Sequence, residues 1–206
     1  MADSSPVATK GNLIQIRKSL ALARLGFELI DRKRNILVRE MMSQISAANA
    51  LRESIDPIYK KAYKALQRAN VTLGVCTDVA NSLPVEGGLS LTERSVMGVI
   101  LTRVNLDSTI RPEVPYSLSK TNSQLDIAYI CFSKVKEQTV RLAEIENSVY
   151  RLALEIKKSQ KRANALQNIV IPRYTVQEHQ IADALEEKER EEFSRLKLIK
   201  RLKPKK

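Results

Sequence analysis

The residues that end helices are crowded into the middle of this chain. Between Leu13 and Asp56 the only glycine or proline is Gly26, and between Ser119 and Ile171 there is none. Gly74, Pro84, Gly87, Gly88, Gly98, Pro112 and Pro115 all fall between those stretches. Glycine ends helices through its backbone entropy, and proline through a lost donor and a ring that strikes the preceding turn. The sequence therefore reads as long helix, compact irregular centre, long helix.

The apolar pattern agrees. Alternating strides of three and four from Leu13 land on Leu13, Ile16, Leu20, Ala23, Phe27, Ile30, Arg34, Leu37, Met41, Gln44, Ala48, Leu51, Ile55 and Ile58. The same strides through the second half meet Ala128, Cys131, Val135, Gln138, Leu142, Ile145, Val149, Leu152, Ile156, Ser159, Ala163, Leu166 and Val170. A 3.5-residue repeat held this long is a coiled-coil seam. The expected fold is all-α: a long antiparallel two-helix coiled coil with a small central region containing a β-hairpin. Residues 1–75 form the first helix, kinked near Pro57. Residues 76–118 form the centre, and 119–206 the second helix, with a break near Pro172 and a basic tail. At about 1.5 Å per residue the helices would reach roughly 90 and 120 Å if straight, so the C-terminal end should overhang. Gly26, beside Phe27, is expected to permit close helix approach. The polar seam residues Arg34, Gln44, Gln138 and Ser159 either fix helix register or mark local solvent exposure or a partner contact.

The centre has a different period. Gly88-Leu-Ser-Leu-Thr-Glu-Arg94 alternates apolar and polar, and Val99-Ile-Leu-Thr-Arg-Val104 is β-branched and apolar. Ser95-Val-Met-Gly98 between them supplies a tight turn, so residues 88–105 read as a β-hairpin. A lone hairpin is marginal in water and needs a surface to pack on.

Charge and chemistry narrow the function. The 206 residues carry a formal net charge of +12. Residues 1–70 hold +7, residues 71–118 hold −2, and residues 119–206 hold +7. Asp183 to Glu192 contains six acids, and Ser194 to Lys206 seven bases with no acid. No phosphate-binding glycine loop is present. His179 is the only histidine, with no metal set around it, and it reads as a solvated helix residue. Cys76 and Cys131 fit no metal spacing and read as packed free thiols. The acids from Glu186 to Glu192 read as a solvated helix face with i,i+4 pairs to Lys188, Arg190 and Arg195. No catalytic residues, cofactor or metal are expected. No apolar run is long enough to span a membrane, and Met1 to Gly11 lacks a signal-peptide core, so a reduced cytoplasmic protein is the simplest reading. The basic tail leaves three readings open: a solvated coil end, a nucleic-acid contact, or docking into an acidic protein cavity.

Specific strings carry a resemblance. They are Thr9-Lys-Gly-Asn-Leu13, Lys18-Ser-Leu-Ala-Leu-Ala-Arg-Leu-Gly26 and Asp31-Arg-Lys-Arg34 near the start, and Ser95-Val-Met-Gly-Val99 in the centre. Near the end are Arg162-Ala-Asn-Ala-Leu-Gln-Asn-Ile-Val-Ile-Pro-Arg173 and Leu185-Glu-Glu-Lys-Glu-Arg-Glu-Glu-Phe-Ser-Arg-Leu-Lys197. Together they resemble the D subunits of the V-type (vacuolar or archaeal-type) ATPases, and the resemblance spans nearly the whole chain. No long acidic extension follows Lys206, which leans toward a bacterial or archaeal complex.

The resemblance implies a non-catalytic central-stalk rotor shaft. Both termini would insert into a ring of A and B subunits, which hold the nucleotide sites. The middle would bind the F subunit and the subunit linking the stalk to the membrane rotor ring. Rotation would couple ATP hydrolysis or synthesis to ion translocation, in a peripheral membrane location. Neither nucleic-acid binding nor membrane insertion is implied. On this reading Lys18, Arg24, Arg173, Arg195, Lys197, Lys200 and Arg201 face the ring. Leu89, Leu91, Val96, Met97, Gly98, Val99 and Leu101 contact the ring base or stalk subunits. Leu20, Phe27, Ile30, Met41, Val135, Leu142, Val149, Ile156 and Leu166 belong to the seam. The competing reading is a basic coiled-coil protein that binds nucleic acid or an acidic membrane surface.

Overall fold

A computed structural model describes residues 7–83, 87–106, 116–117, 119 and 121–202. Pro84, Pro112, Pro115 and the tail from Lys203 onward lie outside the described residues. The described residues are all-α apart from one small antiparallel hairpin. Helix α1 runs Lys10–Leu73 and a short α2 runs Thr77–Ser82. Strands β1 (Leu89–Val96) and β2 (Val99–Leu106) follow, and then α3 (Ser123–Ala165), a π-helical turn (Leu166–Val170) and α4 (Ile171–Leu202). These elements group into two compact units, residues 35–156 and residues 1–34 with 157–206.

Residues 35–156 hold three apolar clusters. In the first, Ala62 and Ala65 of α1 meet Ala128, Cys131 and Val135 of α3, flanked by Ile58, Tyr59, Leu66 and Phe132. Small side chains at these seam positions let two helices approach closely. Arg52 to Glu146, Tyr59 to Thr139 and Thr72 to Asn122 are hydrogen-bonded pairs between the helices. Positions rise along α1 as they fall along α3, so the two run antiparallel. Pro57 lies inside α1, which continues to Leu73.

In the second cluster, Ala69 and Leu125 pack with Tyr116, over Cys76, Val79, Leu83 and Tyr129. Gly74 ends α1 with φ +79°, and its N–H donates to Asn70 O at 2.9 Å, a left-handed cap that a Cβ would strain. Asn122 opens α3 by accepting the Leu125 N–H through Oδ1 at 3.1 Å. Its Nδ2 donates to Thr72 Oγ1 at 2.8 Å, tying that cap to the last turn of α1. The Tyr116 hydroxyl donates to Asp126 Oδ1 at 2.7 Å. Burial, and then this bond to a carboxylate, push the phenol well above its ordinary pKa.

The third cluster seats the hairpin. Val99 and Leu101 of β2 are buried against Leu37 and Leu152, both fully buried, with Met41, Val96 and Ile156 around them. The strands pair from Leu89↔Leu106 to Val96↔Val99, leaving a two-residue turn at Met97 and Gly98. Their φ values of +50° and +77° identify the primed turn type that matches strand twist. Ser95 and Val96 therefore belong to the strand, and the turn is two residues shorter than the four-residue segment read from sequence.

Residues 1–34 and 157–206 pair along their own seam. Thr9 caps α1 by accepting the Asn12 N–H at 3.2 Å. Lys10 to Glu189 at 2.9 Å, Arg17 to Glu178 at 2.8 Å and Arg34 to Gln160 at 2.7 Å again give antiparallel order. Leu20, Ala23, Ser159, Ala163 and Ile181 are buried here. Phe27, Ile30 and Leu166 are half-buried.

Two expectations are corrected in this unit. Pro172 does not break the helix, because α3, the π turn and α4 are contiguous from Ser123 to Leu202. The Ile171 N–H donates to Leu166 O, five residues back. A π turn is wider than an α turn, and it accepts a residue without an N–H. Gly26 is not a point of close approach, since a Cβ built there meets nothing within 4 Å.

Candidate interaction surfaces

Within each unit, none of the seam positions from Leu13 to Ile58 or from Ala128 to Val170 is exposed. Met41, Leu142, Val149 and Ile156 are half-buried and Val135 is buried. The polar members differ from one another. Arg34 is held by Asp31 at 2.5 Å and donates across the helices to Gln160. Gln44 bonds to Glu40 on its own helix, and Ser159 is buried.

Charge is very unequal between the units. Residues 1–34 and 157–206 hold 21 Lys and Arg against 10 Asp and Glu, a net +11. Residues 35–156 hold 14 against 13, a net +1. The two +7 segments read from sequence thus place nearly all their excess in one unit. Lys18, Arg24, Arg173, Arg195, Lys197, Lys200 and Arg201 all lie in it, and all are exposed.

The acids of α4 neutralise part of its charge locally. Glu186 pairs with Arg190 at 2.7 Å and Glu191 with Arg195 at 3.8 Å, each one turn apart. Lys188 instead reaches the Ala8 carbonyl at 3.4 Å, and Glu189 takes Lys10. That contact raises the Lys10 pKa, by its hydrogen bond first and by Coulombic attraction second. From Glu186 to Leu202 every residue is exposed, and the apolar side chains of Phe193, Leu196, Leu198, Ile199 and Leu202 are bare along with the bases. This end of α4 presents cations and unburied apolar groups together.

The hairpin offers a second surface. Of the seven residues assigned to contacts from sequence, Val99 and Leu101 are buried and Val96 is half-buried against the helices. These three pack on the chain's own helices. Leu89, Leu91, Met97 and Gly98 are exposed. Sequence reasoning missed the residues that hold the hairpin in place. Arg94 pairs with Glu40 at 3.3 Å, Glu144 Oε2 accepts the Val104 N–H at 3.1 Å, and Arg151 donates to the Ile100 carbonyl at 3.0 Å. Each partner lies some forty residues or more away, beyond any local pattern.

Among the described residues, no three His, Cys, Asp or Glu side chains are placed to hold a metal ion. Cys131 is buried in the α1–α3 cluster and Cys76 is half-buried, both as free thiols. His179 is exposed. No described helix is long and apolar enough to cross a membrane.

Long paired helices with one small antiparallel hairpin define a coiled-coil class of chain. The comparisons with known proteins give that class a family. A model of the ATP synthase D subunit matches residues 12–201. The V-type ATP synthase D subunit of Thermotoga neapolitana is 41% identical over 198 residues, covering 95% of this chain and 97% of that protein. The A-type ATP synthase D subunit of Thermococcus kodakarensis is 35% identical over 198 residues, covering 94% and 92%. That of Methanopyrus kandleri is 34% identical over 199 residues, covering 94% and 85%. The chain belongs to the ATP synthase D-subunit family.

Proposed function

We propose that this protein is the central rotor shaft of a V/A-type ATP synthase, a non-catalytic subunit that transmits torque. It couples nucleotide turnover in a ring of A and B subunits to ion movement through a membrane rotor. The observation that carries this reading is the +11 unit, with its exposed, cationic and partly apolar end of α4. A shaft end must touch the walls of a ring without locking to any one site. Exposed ion pairs, worth at most ~1 kcal/mol each, supply contacts that can be exchanged as the shaft turns. The bases from Lys18 to Arg201 singled out above face acidic or polar loops of the ring. The hairpin unit, nearly neutral, faces the F subunit and the subunit that joins the stalk to the membrane rotor. On this reading the protein is cytoplasmic, held at the membrane only through its complex.

A nucleic-acid or acidic-membrane binder would also use positive charge, but it has no use for a hairpin clamped at Glu40, Glu144 and Arg151. Reconstitution with the A/B ring and the F subunit, with a bead on the stalk, tests the proposal. Rotation on addition of ATP is expected, together with no ATPase activity from the isolated chain. A chain that fails to join the ring at low salt, or binds duplex DNA more tightly than the ring, overturns it.

A further inference from the structure

A seam that repeats every seven residues does not fix its own register. Sliding one helix past the other by seven residues, about 10 Å at the ordinary helical rise, brings apolar positions back onto apolar positions. Something outside the repeat has to choose the pairing. In residues 35–156, Arg52 to Glu146, Tyr59 to Thr139 and Thr72 to Asn122 tie α1 directly to α3. Each is a single hydrogen bond at an exposed site, and exposed contacts discriminate weakly.

The hairpin engages both helices at once. Val99 and Leu101 share one cluster with Leu37 and Met41 of α1 and with Leu152 and Ile156 of α3. Among the described residues of this unit, Leu37 and Leu152 are the large side chains that are completely buried. A two-residue turn makes Val96 and Val99 a bonded pair, so Ile100 and Val104 turn their backbone groups out of the ladder. Helix α3 meets both: Arg151 donates to the Ile100 C=O, and Glu144 accepts the Val104 N–H. Those helix positions are two turns apart, about 10 Å, and the strand positions are about 13 Å apart. Strand β2 therefore lies lengthwise on α3, pinned through its backbone at two points. Helix α1 is held through a side chain instead. Arg94 donates to Glu40 Oε1 at 3.3 Å, and the same oxygen accepts from Gln44 Nε2 at 3.3 Å. Gln44, a polar interruption of the seam, thus steadies the carboxylate that receives the hairpin.

We propose that the hairpin is a register lock, which fixes the axial position of α3 against α1 and excludes the heptad-shifted pairings that the seam allows. A shift of seven residues carries the pinned hairpin along with α3. It takes Val99 and Leu101 off Leu37, and Arg94 away from Glu40. The shifted pairing keeps an apolar seam but uncovers Leu37 and leaves Arg94 without its carboxylate. The lock acts within this chain and needs no partner subunit.

Distances between two spin labels on the full-length chain test it. The labels go on the exposed positions Ala47→Cys of α1 and Glu137→Cys of α3, with Cys76→Ser and Cys131→Ala leaving no other thiol. Arg52 to Glu146 and Tyr59 to Thr139 show that these two sites are offset along the helices, so a slide changes their separation almost one for one. With the lock intact a single distance is expected. Glu40→Ala, Glu144→Ala and Arg151→Ala together cut all three polar ties while raising helix propensity. They should bring a second population, displaced by about 10 Å, to about a tenth of the molecules or more. Val99→Thr with Leu101→Thr keeps strand propensity, removes the apolar seat and should do the same. Arg52→Ala with Tyr59→Phe should keep the single distance. A single unshifted distance in both lock variants overturns the proposal. So does an equal shifted population in the Arg52 and Tyr59 variant, because the register would then be set along the seam. Loss of the helical signal in circular dichroism overturns it too, because the seam would then need the hairpin in order to pair at all.

Discussion

Gly26 offers a clean choice between two accounts of the first helix. A glycine in the middle of a 64-residue helix is expected either to admit a close neighbour or to be a plain loss of helix propensity. The structure supports the second account, because a Cβ at Gly26 meets nothing within 4 Å and its φ is not left-handed. Gly26→Ala should therefore stabilise the chain by the propensity difference alone, about 0.8–1 kcal/mol, with no term for new contacts. For a chain of this length that corresponds to a rise in Tm of about 2–4 °C. Gly26→Leu should remain within about 0.5 kcal/mol of the alanine variant, because leucine is nearly as good a helix former and open space receives it. The assay is thermal and urea unfolding of the isolated full-length chain, followed by circular dichroism at the helical band. A fall in Tm for Gly26→Ala, or a collapse of Gly26→Leu, would show a close packing contact at this site and refute the reasoning. The same leucine variant carries information in the complex. If it is stable alone but defective in rotation, a ring subunit comes close at Gly26.

Three further outcomes follow from the same structure. Leu152→Ala removes a fully buried side chain beneath the hairpin and should cost about 2–5 kcal/mol in urea unfolding, with faster amide exchange at Thr92 and Arg94. Tyr116 should remain protonated above the ordinary phenol range, which absorbance at 295 nm resolves as a late phase absent from Tyr116→Phe. Because its folded pKa is raised, the stability it contributes is complete below about pH 10 and is lost as pH climbs through the folded value. Changing Arg195, Lys197, Lys200 and Arg201 together to Gln should weaken binding to the A/B ring at low salt and flatten its salt dependence. Unchanged affinity across salt would remove these bases from the interface.

What is legible in the sequence follows from where its information is local. The long helices and their seam show because a 3.5-residue repeat writes itself many times over, and each of its positions is withdrawn from water. The hairpin shows because alternation and a glycine mark it. Its turn reads two residues too long because Met97 is not a residue that advertises a positive φ. How the hairpin sits is not legible. Glu40, Glu144 and Arg151 look like any surface charge until folding brings Arg94, Val104 and Ile100 beside them. The charge imbalance is half-legible: cutting the chain in sequence order gives two equal basic parts, whereas antiparallel pairing places residues 1–34 with 157–206. Gly26 misleads because a glycine required for close approach and one that is merely tolerated are written with the same letter.

The π turn at Leu166–Val170 has a consequence for how this chain can be edited. Up to it the inward positions Ser159, Ala163, Leu166 and Val170 keep alternating strides of three and four. The next stride in that series would land on Arg173, which is exposed, whereas Tyr174 is half-buried and Ile181 is 1% exposed. One residue more than the heptad needs has been taken up in the wide turn, so the numbering of the seam is offset by one beyond it. The helix carries a punctuation mark that resets its frame. A chimera that exchanges the C-terminal segment with a relative must carry this offset across with it. Otherwise the bases and leucines beyond Ile181 all turn by about 100°, one residue's share of a 3.6-residue turn, and present a different side to whatever surrounds them.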